Sequence, residues 1–105
     1  MVRRDIIELL KRYIDLLEKE GISVRKAYLF GSYSSDTANE SSDIDVMIVS
    51  DNYDESDDVT VGKTWKLTRQ VHAKIEPYLI SLKRFINEDP SPFISMVKEK
   101  GVEIV

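Results

Sequence analysis

At the centre of the chain lies Asp43-Ile44-Asp45-Val46-Met47-Ile48-Val49, a run rich in β-branched residues that reads as a strand. Positions two apart on a strand share a face. Ile44, Val46 and Ile48 therefore offer one apolar side to a core. Asp43 and Asp45 project together on the other side, roughly 7 Å apart along the strand. Two carboxylates at one end of a buried strand are costly unless something positive compensates them. Any fold for this chain must bury one side of that strand and find a use, or a counter-charge, for the other.

The rest of the chain supplies what such a strand needs. From Asp5 to Glu20, Ile6, Leu10, Tyr13, Ile14 and Leu17 recur at helical spacing, with Leu9 and Leu16 widening the stripe, and Ile7, Leu10, Ile14 and Leu17 are expected to be buried on one face. Gly21 stands where that helix would stop in a left-handed residue. Val24 to Phe30 is a strand candidate, and Ile44 to Val49 a second. Asp51 to Asp58 reads as a solvated acidic loop. Val61 to Ala73 reads as a helix carrying Trp65, Leu67, Thr68 and Val71. Ile75 to Ser81 reads as a third strand, and Pro77 within it calls for an edge position or a bulge. Ser91-Pro92 opens a helix, with Ser as cap and Pro in the first turn, that runs to about Lys100 and stops at Gly101. Val102 to Val105 can add a short last strand. Helices alternating with short strands imply an α/β (α+β) architecture, a single small mixed sheet covered by helices over residues 1–105 as one domain.

The chain has 105 residues and a net charge of −4, distributed unevenly. No Lys or Arg occurs from Ala27 to Gly62, a stretch that holds nine acids. A field of that sign repels phosphate backbones, which argues against a nucleic-acid partner. There is no cysteine, so disulfides and thiolate metal sites are excluded, and a cytoplasmic location is the simplest reading. The start, Met1 to Asp5, does not resemble a signal peptide, and no apolar run approaches the ~20 residues of a membrane span. Asn39-Glu40-Ser41 matches a glycosylation sequon by chance.

Hard divalent cations are the usual answer to paired carboxylates: Mg²⁺ takes carboxylate oxygens and keeps waters or phosphates as its other ligands. Two such ions ~3.5–4 Å apart can hold the attacking and leaving oxygens of an in-line phosphoryl displacement. An Asp-x-Asp alone can equally flank a strand entrance, solvated and capping a turn. An EF-hand loop is a poor alternative, since aliphatic residues surround the aspartates and the required Gly is absent. Gly31-Ser32, directly after the first strand, is by itself only a turn. It can also bring backbone N–H groups and a hydroxyl up to phosphate oxygens.

The combination is more specific than its parts: a strand, Gly31-Ser32, ten residues, then Asp43-Ile44-Asp45 opening a second strand. Within Leu29-Phe30-Gly31-Ser32-Tyr33 and Ser42-Asp43-Ile44-Asp45-Val46, this resembles the minimal nucleotidyltransferase family of the DNA polymerase β-like superfamily. The likeness covers nearly the whole chain and implies that superfamily's fold. It also implies a Mg²⁺-dependent enzyme, with two ions, that moves a nucleoside monophosphate, AMP from ATP by default, onto an acceptor. Gly31 and Ser32 would bind the nucleotide; Asp43, Asp45 and a third carboxylate would hold metal and act in catalysis. Glu76 is the candidate for that third position, where many relatives carry Asp; its alternative is an exposed strand residue. Resemblance further implies a protein acceptor, such as a HEPN-type helical toxin, and a homo- or hetero-oligomer.

The sequence departs from the family where many relatives carry a small residue, then Arg or Lys, then Gly: here Ser34, Ser35 and Asp36. The missing cation and the added charge at Asp36 keep a second reading open, a catalytically weak antitoxin that acts by contact with its partner. Lys63, Lys66 and Arg69 could substitute for the lost cation or simply form a solvated face. His72 is expected to pack at a helix end, and Trp65 in a core or an interface.

Overall fold

The computed structural model describes residues 3–35, 37–39 and 41–105. The first helix, α1, spans Arg3–Lys19 and buries Ile6, Leu9, Leu10, Tyr13, Ile14 and Leu17, the face expected from its periodicity. Ile7, expected to be buried with Leu10, Ile14 and Leu17, is only partly buried, as is Leu16; Ile6 takes the core position instead. The helix ends as its sequence requires. Gly21 takes φ +90°, and its N–H donates to Glu18 O at 3.1 Å. Ile22 N–H reaches Leu17 O at 3.0 Å, and both side chains enter the core. This double closure satisfies two carbonyls that the helix cannot.

Four strands follow: β1 Lys26–Phe30, β2 Ile44–Ser50, β3 Ile75–Ser81 and β4 Val102–Glu103. Their order is β3-β2-β1-β4, with β2 antiparallel to β1 and parallel to β3, so the sheet is mixed. β1 begins at Lys26, two residues later than expected. Pro77 sits in an edge strand, opposite Val46, where a lost ladder donor is tolerated.

The helix after β2, α2, spans Asp58–Thr68 rather than 61–73. Asp57 caps it, accepting from Thr60 N–H at 3.0 Å, so the acidic run ends inside a helix start. The remainder of that run is not a plain solvated loop either. Tyr53 is buried, Asp51 pairs with Arg25 at 3.2 Å, and Glu55 accepts from Ser81 N–H at 2.8 Å. His72 lies beyond the helix and accepts from Lys74 N–H at 3.1 Å, shaping the turn into β3. A four-residue helix, α3 (Leu82–Phe85), is capped by Ser81 and had no counterpart in the sequence reading. The last helix, α4, covers Pro92–Lys100 with Ser91 as its cap. α4 ends at Gly101, whose backbone is extended and whose N–H donates to Val97 O at 2.8 Å; a Cβ there would stand 2.5 Å from that oxygen.

Alternate residues of the strands feed two separate cores. Ala27, Leu29, Ile44, Val46 and Ile48 meet α1 and Leu67 of α2 on one face. Phe30, Met47, Val49 and Ile80 meet Ile94 and Val97 of α4 on the other. Beyond Asp45, β2 is thus buried on both faces. Among the described residues, no helix is long and apolar enough to cross a membrane.

Candidate functional site

The strand registers decide which functional candidates meet. Phe30 lies opposite Asp45 across β1 and β2, and Asp45 lies opposite Glu76 across β2 and β3. The end of β1 and the starts of β2 and β3 therefore share one rim of the sheet. Gly31 leaves β1 at that rim with φ +76°, and a Cβ on it would overlap Asp45 Oδ2. Both the backbone and the space demand glycine.

A single 3₁₀ turn, Gly31–Tyr33, carries Ser32 over the rim. Its carbonyls are closely accounted for. Gly31 O accepts from Ser34 N–H at 3.1 Å and from the hydroxyls of Ser34 and Ser35 at 2.9 and 3.2 Å. Ser32 O accepts from Thr37 N–H at 3.0 Å. Tyr33 O and Ser34 O accept from Arg3 of α1, through Nε at 3.2 Å and Nη2 at 2.7 Å. Ser32 Oγ, half-buried, makes no hydrogen bond among the described residues. Arg3 escaped the sequence reading because thirty residues separate it from the turn, and no local pattern marks that contact.

Three carboxylates stand in a row on this rim. Asp45 and Glu76 are within hydrogen-bonding reach of each other, and Glu76 is also within reach of Asp43. Burial raises the Asp45 carboxyl above its ordinary range; the contact with Glu76 offsets part of that, and the Asp43 charge adds to it. Glu76 is raised by burial first, then by the charges of Asp43 and Asp45. Asp45 and Glu76 would each rather hold a proton, or share a metal cation, than stand as a bare anion beside its neighbours.

Among the described residues, no three or more Asp, Glu, His or Cys side chains form a ready-made cage for one ion. Asp43 is exposed at the mouth of the row, while Asp45 and Glu76 lie half-buried behind it. The donor set nonetheless fits Mg²⁺: all its donors are hard carboxylate oxygens, few enough that water and phosphate would complete an octahedral shell.

The cations of α2 stay away from this row. Lys63 Nζ donates to Glu20 O at 2.7 Å, closing the end of α1. Lys66 and Arg69 line a recess of about 480 Å³ with Gly62, Trp65, Thr68, Ala73 and Ile75, on the side of the sheet away from Asp45. Trp65 is 45% exposed, not a core residue. Asp36 lies outside the described residues. Next to Glu76, the rings of Phe30, Tyr78 and Phe93 pack at centroid distances of 5.3–5.6 Å. The Tyr78 phenol is raised by burial and then by the three carboxylates.

Comparison with known proteins bears on family and fold. Residues 5–105 match the family described as polymerase beta, nucleotidyltransferase. A solved structure of a candidate nucleotidyltransferase from Sulfolobus solfataricus superposes with a TM-score of 0.67 at 16% identity. That match covers 96% of this chain and 80% of the other, and at such identity it bears on the fold alone. None of the curated proteins matches the sequence. With the family match spanning all but the first four residues, and the four-stranded mixed sheet agreeing with it, the chain belongs to the polymerase beta-like nucleotidyltransferases.

Proposed function

We propose that this domain, residues 1–105, transfers a nucleoside monophosphate, AMP from ATP, to a hydroxyl of a partner protein in a Mg²⁺-dependent reaction. The observation that carries the reading is the packing of Gly31 against Asp45, which sets the Gly31–Tyr33 turn directly beside the carboxylate row. Ser32 would hold the triphosphate by its hydroxyl and backbone N–H. Asp43, Asp45 and Glu76 would hold the divalent ions, which when bound neutralise phosphate charge and favour in-line displacement at the α-phosphorus. The acceptor oxygen forms a bond to that phosphorus, and the bond from phosphorus to the α,β-bridging oxygen breaks. Pyrophosphate leaves with the electron pair. The hydroxyl proton would pass to Glu76 acting as general base, the alternative for that carboxylate to holding the acceptor-side ion. Positioning and charge neutralisation supply most of the catalysis in such transfers. The acceptor we favour is a helical protein of the HEPN type, in a toxin–antitoxin pair, with the complex formed in the cytoplasm.

A second reading has its own observation. Ser35, where many relatives carry a cation, donates its hydroxyl to Gly31 O at 3.2 Å. A domain lacking that cation could neutralise its partner by contact alone.

Labelled ATP separates the two. With the native partner present, α-label should become covalently attached to it, depend on Mg²⁺, and fall more than a hundredfold in Asp45→Asn, roughly 2.7 kcal/mol in barrier. Ser32→Ala should cost less, since the backbone N–H survives. A complex that forms and neutralises the partner with no label transferred would leave only the contact reading standing. Transfer of γ-label would instead mean a kinase.

A further inference from the structure

We infer that Arg3 is a positioning residue for the turn that carries Gly31 and Ser32, fixing its distance from Asp45; the inference rests on the nucleotidyl-transfer reading of that site. Between Ala27 and Gly62 the sequence has no cation of its own, so a guanidinium at this turn has to come from another element.

The carbonyls from Gly31 to Ser34 show what the guanidinium does. Gly31 O and Ser32 O find donors inside the loop. Tyr33 O and Ser34 O are held instead by Arg3, from thirty and thirty-one residues away. A planar guanidinium spans two neighbouring acceptors with fixed geometry, which a lysine ammonium cannot reproduce. Its base is equally fixed, for Ile6 and Leu10, one and two turns further along α1, are fully buried. The helix under one face of the sheet therefore grips a loop at its rim.

The turn has little freedom to wander toward the carboxylates. Gly31 already leaves no room for even a Cβ against Asp45. Without Arg3, it could relax only outward, carrying Ser32 away from the row. The affinity that suffers is that for the phosphate chain, which spans turn and row. Divalent binding to the row alone uses Asp43, Asp45 and Glu76 and would be spared.

The test compares Arg3→Met and Arg3→Lys with the unaltered chain by calorimetric titration. The probes are Mn²⁺ alone, and tripolyphosphate or ATP in saturating Mg²⁺. We expect Arg3→Met to weaken both polyphosphates at least tenfold and Mn²⁺ by no more than twofold. Arg3→Lys should resemble Arg3→Met, because charge without the fork does not bridge the two carbonyls. Millimolar guanidinium should restore part of the loss in Arg3→Ala. Three results would overturn the inference: polyphosphate affinity within twofold of the original in Arg3→Met, full function in Arg3→Lys, or parallel losses for Mn²⁺ and polyphosphate that track a falling melting temperature. If the unaltered chain binds Mn²⁺ but neither polyphosphate, the nucleotidyl-transfer reading fails and takes this role of Arg3 with it.

Discussion

On one face of the sheet, Ala27, Leu29, Ile44, Val46 and Ile48 meet Ile6, Leu10, Tyr13 and Leu17, all with no measurable exposure. On the other, Phe30, Met47, Val49 and Ile80 are buried together with Ile94 and Val97 of α4. Past Phe30 and Met47, that face gives way to Asp45, Glu76 and Asp43. The same strands thus build a closed face and a half-open one. Even the polar group on the closed face is fully used: Tyr13 Oη donates to Thr64 O at 2.6 Å, and burial raises its phenol well above the ordinary range. The open end instead concentrates three carboxylates, and the proton affinities of Asp45 and Glu76 are raised there. Stability resides on the first face, and the second can afford a costly arrangement because the first does not depend on it.

That division can be broken most severely at Leu10. Leu10→Ala should lower the unfolding free energy by roughly 2–5 kcal/mol in a urea titration. Transfer activity per folded molecule should stay within about twofold. A stability loss below about 0.5 kcal/mol would mean that the α1 face does not carry the fold.

A smaller effect, and a sharper contrast, comes from two glycines with positive φ. Gly21→Ala meets no atom within 4 Å, so its cost is the left-handed backbone, about 1–2 kcal/mol. Gly31→Ala should cost that and more, because its Cβ collides with Asp45 Oδ2. It should also remove polyphosphate binding, which Gly21→Ala leaves intact. Equal behaviour of the two variants in both measurements would dissolve the distinction between a structural turn and a site turn.

The least effect is electrostatic and is read from its direction with pH. Asp45 and Glu76 have carboxyls raised in the folded protein, so in the absence of metal the folded state holds protons that the unfolded chain releases. Stability then falls as pH rises from the ordinary carboxylate range through the raised values, and the penalty is complete above them. The Asp45→Asn, Glu76→Gln double variant lacks these groups. It should equal or exceed the original in stability at neutral pH and lose that advantage in acid. Mg²⁺ should stabilise only the original, by mass action, and less so at low pH where protons compete. An advantage of the double variant that does not vary with pH, or that shrinks as pH rises, would show that the row is not strained.

Much of this was legible because the responsible interactions are local. The α1 stripe, its stop at Gly21, the Ser91-Pro92 start and the carboxylate-bearing β2 each follow from side chains a few residues apart. The edge placement expected from Pro77 follows from one missing N–H. The start of α2 was hidden because Asp57 lies in a run of acids, any of which could cap a helix; only the contact with Thr60 singles it out. α3 is too short to show a period. The acidic loop looked solvated because its anchors, Arg25, Ser81 and Arg84, lie far along the chain.

For the site, the sequence by itself determined the chemistry on offer: Gly31-Ser32, ten residues, Asp43 and Asp45 on one side of a strand, and Glu76 on the next. Periodicity fixes which way neighbouring side chains point, and the spacing is a property of the chain alone. What only the tertiary structure decided is proximity across strands and between helix and loop. The registers that set Asp45 beside both Phe30 and Glu76, the contact that leaves Gly31 no room for a side chain, and the reach of Arg3 to Tyr33 and Ser34 each join residues about fourteen to thirty-one positions apart. Such contacts arise when buried faces lock the elements into one register, and no local pattern encodes that register.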